Sequence, residues 1–253
     1  IFCLLTTVTT ASTIGLWRFE EGTAGNTATG ASSVLDSAST NHGSPSGDPT
    51  YSSDLPLPVI PQSGLINTTS LSFDGVGDTV LIPTNAALNS SSSFTVEFWM
   101  RSSDTSSGQH LLVDKSHGFG DTTGWFFQSG SGNGIIAFGL GNGSSFPGIS
   151  SSADLFDDTW HHLAGTYDGT TIEFFVDGTS QGSLAAGTYA GNTRDIRIAS
   201  ARNGGRFFDG GIDELRISDT VLAPSEFLNV PEPSSTLLIG FGSLAFAFRR
   251  KRR

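Results

Sequence analysis

Apolar and polar positions alternate with a period of two along most of this chain, most clearly around residues 158–178. There Ile172, Phe174 and Val176 fall on one side, and Thr171, Glu173 and Phe175 on the other. Side chains of a strand point alternately to its two faces, so this run is a strand with one buried face. Asp168-Gly169 and Asp177-Gly178 bound it. Asp-Gly is favoured in type I′ hairpin turns, where both central residues take positive φ. The segment therefore predicts a three-strand antiparallel meander.

The same period sets Phe94, Val96, Phe98 and Met100 against Thr95, Glu97, Trp99 and Arg101. Residues 15–20 open the pattern, and 71–75 with 78–82 predict a further hairpin. Strands follow at 110–114, 124–128, 134–140 and 195–200. In 211–217, Ile212, Glu214 and Arg216 share one face, and Asp213, Leu215 and Ile217 the other. Five of the ten prolines lie in 44–64, which reads as a long irregular insertion. No long helical period appears; a short helical turn is expected at 221–228. The pattern predicts an all-β, two-sheet antiparallel sandwich, and about 218 residues are enough for one such domain.

The two ends depart from the pattern. Residues 1–12 are apolar, Thr-rich and uncharged, and read as the remnant of a secretory signal peptide. The chain closes on Pro231-Glu232-Pro233, then fifteen uncharged residues (234–248), then five cations including Arg249 and Arg250. As a helix the uncharged run would be about 22 Å long, against a hydrocarbon core of about 30 Å. Snorkelling arginines and local thinning close that gap, and the cations would stay cytoplasmic. A short C-terminal transmembrane helix is thus expected. Three segments result: 1–12, a domain at 13–229, and a sorting or anchor segment at 230–253.

The tail holds five of the thirteen Lys and Arg, so the body carries −15 or −16, depending on where Glu232 is counted. That charge argues against nucleic acid or anionic lipid as partner of the body. The single cysteine, Cys3, lies in the leader, so the exported domain has no disulfide.

Two features carry resemblances. Trp160-His161-His162-Leu163, Phe94 to Trp99, Ser70 to Gly75 and Gly211 to Ile217 resemble the laminin G-like, concanavalin A-like (pentraxin-like) jelly-roll family. The order Pro-Glu-Pro, short apolar helix and Arg-rich end resembles the PEP-CTERM sorting signal. That likeness implies handling by an exosortase, passage through the inner membrane, and a place at the bacterial cell envelope or in an exopolysaccharide matrix. The jelly-roll resemblance also implies one structural calcium ion where the first and last strands meet, with Glu20, Asp36, Asn41 and Asp213 at matching positions. Asp213 stands out, because an acid among Leu215 and Ile217 needs a partner. Solvated turns and backbone caps are the alternative reading of these acids, and no loop shows calcium-ligand spacing.

Catalysis finds little support. His161 and His162 are neighbours on a strand and point to opposite faces, so they do not chelate one ion. His42, His110 and His117 lie in loops without partner spacing. Glycoside hydrolysis needs two carboxylates across a cleft, yet Glu97 has Thr95 and Trp99 as same-face neighbours, and Asp213 and Glu214 are expected on opposite faces. Trp99 and Trp125 are the aromatics expected to stack on sugar rings, whereas Trp160 reads as core. The leading expectation is a non-catalytic binding or adhesion protein with polysaccharide as ligand. The alternatives are a glycoside hydrolase or lyase of the same fold, and an architectural matrix protein.

Overall fold

A computed structural model describes residues 12–89, 92–116 and 122–230 of the chain. The leader, the sorting segment with Pro231, Glu232, Pro233, Arg249 and Arg250, the expected transmembrane helix and His117 all lie outside the described residues. Among the described residues no helix is long and apolar enough to cross a membrane.

Among the described residues, strands and two 3-10 turns make up the regular structure. In chain order the strands are β1 (Thr13–Trp17), β2 (Ser44–Ser46), β3 (Thr50–Ser52), β4 (Ser70–Asp74), β5 (Thr79–Ile82), β6 (Phe94–Arg101), β7 (Leu111–Asp114) and β8 (Trp125–Ser129). They continue with β9 (Ile136–Leu140), β10 (Gly148–Ser150), β11 (His161–Tyr167), β12 (Thr171–Val176), β13 (Thr179–Ala185), β14 (Ile196–Ile198) and β15 (Asp209–Ser218). One sheet has the order β13-β12-β11-β6-β15-β4-β3, with β1 also paired to β15; the other runs β10-β9-β8-β7-β14-β5-β2. All the strand pairs are antiparallel. The two-sheet sandwich read from the alternation is what forms.

The core between the sheets takes the predicted side of each strand: Phe94, Val96, Phe98 and Met100 from β6, and Ile172, Phe174 and Val176 from β12. Phe98, Phe127 and Phe138 pack in sequence at 4.9 Å between ring centroids, the first pair edge to face. The meander β11-β12-β13 forms as expected. Its second turn has positive φ at both Asp177 (51°) and Gly178 (76°), as a type I′ turn requires. In the first turn only Gly169 is positive. There Asp168 instead caps the turn, its carboxylate accepting the Thr170 and Thr171 amides at 2.8 and 2.7 Å.

Two expectations are corrected. Residues 71–75 and 78–82 do not form a hairpin, because β4 joins one sheet and β5 the other. The chain crosses between the layers at Gly75 and Gly77, both at positive φ. Buried Asp78 holds that corner by accepting the Asp48 amide at 2.7 Å and the Asp74 amide at 3.2 Å. The second correction concerns β15. Its pairing with β6 shifts between Asp213 and Arg216, and Glu214 sits at φ 50°. This bulge inserts a residue, so Ile212, Leu215 and Ile217 all reach the core. Strict alternation had put Ile212 on the opposite face from the other two.

Candidate functional site

The outer face of the sheet that contains β6, the face turned away from the second sheet, is divided in two. After β15 the chain doubles back across this face. Thr95 Oγ1 donates to the Thr220 carbonyl and accepts the Leu222 amide at 2.9 Å. Phe227 and Leu222 pack with Ala164 and Phe175 into a second small core. Beneath it lies Glu97, fully buried, which accepts His162 Nε2 and the Leu228 amide, each at 2.9 Å, and Arg216 Nε at 2.6 Å. Burial opposes ionisation of Glu97, but its His162, Arg216 and backbone partners outweigh it and hold the carboxyl below its ordinary value.

The covered half explains the histidines. His162, on the outer face, is fully buried under the returning segment, while half-buried His161 lies between Asp177 (2.8 Å) and Asp157 (3.3 Å). Those carboxylates raise the His161 pKa, Asp177 foremost. Neither histidine faces a cleft.

The uncovered half is a polar groove of about 210 Å³, lined by Ser70, Ser72, Asp54, Arg101, Trp160 and Asp209 among others. Even-numbered residues of β4 face outward because Leu71 and Phe73 face the core, which places two serine hydroxyls on the floor. Gly211 completes it: a Cβ there would come within 2.7 Å of Trp160 Cη2, so the indole lies directly on the glycine backbone. Arg101 organises the polar side. Its Nε donates to the Asp158 carbonyl and its Nη2 to Asp158 Oδ1, both at 2.9 Å, while Nη1 pairs with Asp54 Oδ2. Asp158 presents carbonyl and carboxylate together because it takes a left-handed backbone, φ 67°. Trp160 Nε1 donates to Asp54 Oδ1 at 3.3 Å, tying the ring to the same cluster. Burial and the nearby Asp104 and Asp74 charges push the Asp209 carboxyl up. The result is a partly exposed aromatic face beside a fixed planar cation, carboxylates and hydroxyls.

This arrangement reverses the expected exposure of the tryptophans. Trp125 packs in the main core at 3% exposure, and Trp99 is 7% exposed, edge-on to His162. Neither offers a ring face for stacking. Trp160, read as core from the sequence, is the partly exposed one. The period held its clue: Trp160 continues the outward positions 162 and 164 of β11, just beyond the covered half.

The four residues expected around calcium separate into two groups. Asp36 binds Asn41, and both its oxygens are filled: Oδ1 accepts the Leu16, Ala38 and Ser39 amides, and Oδ2 accepts Asn41 N and Nδ2. Glu20 caps Thr68, accepting its amide at 2.9 Å, and lies 3.9 Å from Arg18. Asp213 is fully buried, with Oδ2 on Asn67 Nδ2 (2.7 Å) and Oδ1 on the Glu214 amide (2.9 Å). Burial raises its pKa well above the usual range, favouring the neutral acid. The Arg18 guanidinium already pairs with neighbouring Glu214 at 2.8 Å. This donor set, with its oxygens taken by N–H groups and a guanidinium 3.9 Å from Glu20, does not fit one hard cation. Among the described residues the three carboxylates that do converge are Asp48, Asp74 and Asp78, which sequence reasoning did not single out. They come together because Asp78 ties the crossover between the sheets to the loop before β3.

Comparison with known proteins agrees with this architecture. Residues 74–227 match the family model of the concanavalin A-like lectin/glucanases superfamily, and 229–253 match the PEP-CTERM protein-sorting motif. No curated protein sequence matches the chain. Among solved structures, the chain is similar to domain 4 of AbnA, a GH43 extracellular arabinanase from Geobacillus stearothermophilus, in complex with arabinotriose. The TM-score is 0.61 at 17% identity, covering 87% of this chain and 97% of that one. It is also similar to a structure of botulinum neurotoxin type C, whose cell entry depends on interaction with two ganglioside molecules (TM-score 0.62, 15% identity, 92% of this chain). The chain spans about half of that structure, 51% of its length. At these identities the likeness establishes the fold alone.

Proposed function

The chain belongs to the concanavalin A-like lectin/glucanases superfamily and carries a sorting signal for export to the extracytoplasmic envelope or surface, and from that premise we propose that it is a non-catalytic polysaccharide-binding protein of the bacterial surface or biofilm matrix. The groove on the outer face of the β6 sheet is the binding site in this reading. One observation carries it: Trp160 packs against Gly211 with its Nε1 on Asp54, beside the Arg101 cluster and the Ser70 and Ser72 hydroxyls. An indole face suits the apolar side of a pyranose, while the hydroxyls and guanidinium suit its equatorial oxygens. The solved arabinanase domain with its arabinotriose and the ganglioside-dependent toxin support the glycan class.

The enzymatic alternative finds less in the same groove. Asp54 and Asp158 are both tied to one guanidinium, so they do not stand as two free carboxylates across the groove, as glycoside hydrolysis requires. An exosortase and the inner membrane are the partners proposed for the 230–253 segment. The test is a polysaccharide panel against the intact chain and its Trp160→Ala variant, with product analysis of each glycan afterwards. Binding that the variant loses, with glycans recovered intact, is the expected result. Cleaved glycan would establish the hydrolase or lyase, and no binding by the intact chain would leave an architectural role.

A further inference from the structure

The second sheet carries a different kind of site. Eight Lys and Arg lie between residues 12 and 230, in a body whose net charge is strongly negative, and five of them fall at Lys115, Arg194, Arg197, Arg202 and Arg206. A basin of about 560 Å³ opens there, lined by Thr123, Asn192, Thr193, Arg194, Asp195 and Arg202. Its walls are fixed. Asn192 Nδ2 donates to the Lys115 carbonyl (2.9 Å) and to Thr123 Oγ1 (3.2 Å), while Asn192 Oδ1 accepts the Arg194 amide (3.0 Å).

The two arginines that line this basin form no ion pair, although Asp195 shares the lining. Among the described residues no carboxylate lies within ion-pair distance of Lys115, Arg194, Arg197 or Arg202, although Asp114 and Asp195 are in the neighbourhood. Asp195 turns Oδ1 to the Thr84 amide (3.1 Å), and burial raises the Asp114 carboxyl, weakening it as a counter-charge. Lys115 Nζ meets only neutral oxygens, Asn89 Oδ1 at 2.8 Å and the Arg194 carbonyl at 2.7 Å. Burial, opposed by Asp195 and reinforced by Arg202, brings its pKa down to about 8. Arg202 Nη1 and Arg197 Nε are buried without an acceptor. Buried guanidinium N–H groups left unpaired are costly, and Arg202 is the one of the two that lines the basin, where an anion would meet it.

We propose that this basin is a second binding site, for a compact oxyanion: a carboxylate, sulfate or phosphate group, carried on an acidic polysaccharide or free in solution. A planar guanidinium matches such oxygens in a bidentate fork, and Thr123, Thr193 and Asn192 supply neutral polar groups around it. The site stands on a different sheet from the Trp160 groove and does not depend on the function assigned to that groove.

The experiment is calorimetric titration of the intact chain with inorganic phosphate, sulfate, a galacturonate oligomer and a neutral galactose oligomer. It is repeated on the Arg194→Gln/Arg202→Gln double variant, with the melting midpoint as a check on folding. The expected result is binding of at least one anion, weakened about tenfold or more in the double variant, with an unchanged midpoint. Lys115 provides a second readout, since the only other lysine is Lys251 in the tail: its side-chain NMR signal should titrate at higher pH once the anion is bound. Affinity for the galacturonate oligomer supports a polymer-borne ligand, and affinity for phosphate or sulfate alone supports a free ion. Absence of any anion binding overturns the proposal. So does binding that the double variant and the Lys115 signal leave unchanged, as does equal binding of the neutral oligomer.

Discussion

The Trp160 indole rests on Gly211, where a single added methyl would come within 2.7 Å of the ring. Backbone strain does not enter, since Gly211 has no positive φ. Gly211→Ala should therefore tilt the ring off the groove floor while the sandwich stays folded. An aromatic contact contributes about 0.5–1.5 kcal/mol beyond its buried area, so glycan binding should weaken about threefold to tenfold with little change in melting. An unchanged affinity would remove Trp160 from the site.

Arg101 should matter more for binding than for stability. Its side chain is 30% exposed, and partly exposed ion pairs contribute about 0–1 kcal/mol. Without it, Asp54 and Asp158 face each other unneutralised and the indole loses its fixed neighbour. Arg101→Gln is expected to melt close to the parent chain yet lose most glycan affinity. Arg101→Lys should not restore it, because an ammonium does not span Asp54 and both oxygens of Asp158.

Glu97 is the opposite case, a charge whose removal leaves buried partners behind. Glu97→Ala strands Arg216, His162 and the Leu228 amide, a change that typically costs about 3–5 kcal/mol. The returning segment 219–230 should become the first site of limited proteolysis. The folded pKa of Glu97 lies below its unfolded value. Its contribution is therefore present above the unfolded pKa and lost as pH falls through the folded one. Urea unfolding at mildly and strongly acidic pH, compared between parent and Glu97→Gln, measures this.

Lys115 gives an alkaline signature, because here the charged form is the one that burial disfavours. Its folded pKa, about 8, is below the ordinary 10.5, so between those values the unfolded chain binds more protons and stability rises with pH. The full difference corresponds to about 3 kcal/mol. Lys115→Met should abolish that rise, which urea unfolding across this range would show.

Calcium response should not depend on the residues where the first and last strands meet. The Asp36 and Asp213 oxygens are already occupied by N–H donors. Asp36→Asn and Asp213→Asn are expected to show the same change in melting midpoint between calcium and chelator as the parent chain. A response lost in either variant would return the ion to that position.

Local pattern was enough to specify the layers of this protein. The alternation in β6 and β12 fixed which residues meet in the core, because a period of two leaves no freedom once one face must leave water. Asp177-Gly178 specified its turn for the same local reason. The Glu214 bulge was not legible, since an inserted residue shows only when the partner strand supplies the register. Nor was the crossover at 75–78, where two glycines and an Asp suit a hairpin and a change of sheet equally well.

The sequence by itself determined the fold class, the absence of a disulfide in the exported body, and the sorting signal, because composition, period and tail are properties of neighbours along the chain. Tertiary structure decided what is covered. Trp99 and Trp160 both project from the outer face, and the segment 219–228 buries one half of that face while leaving the other open. It likewise drew Arg194 and Arg202 to one basin beside Lys115 and gave Asp36 and Asp213 their own N–H partners. Exposure and convergence depend on residues far apart in the chain, and no local period encodes them.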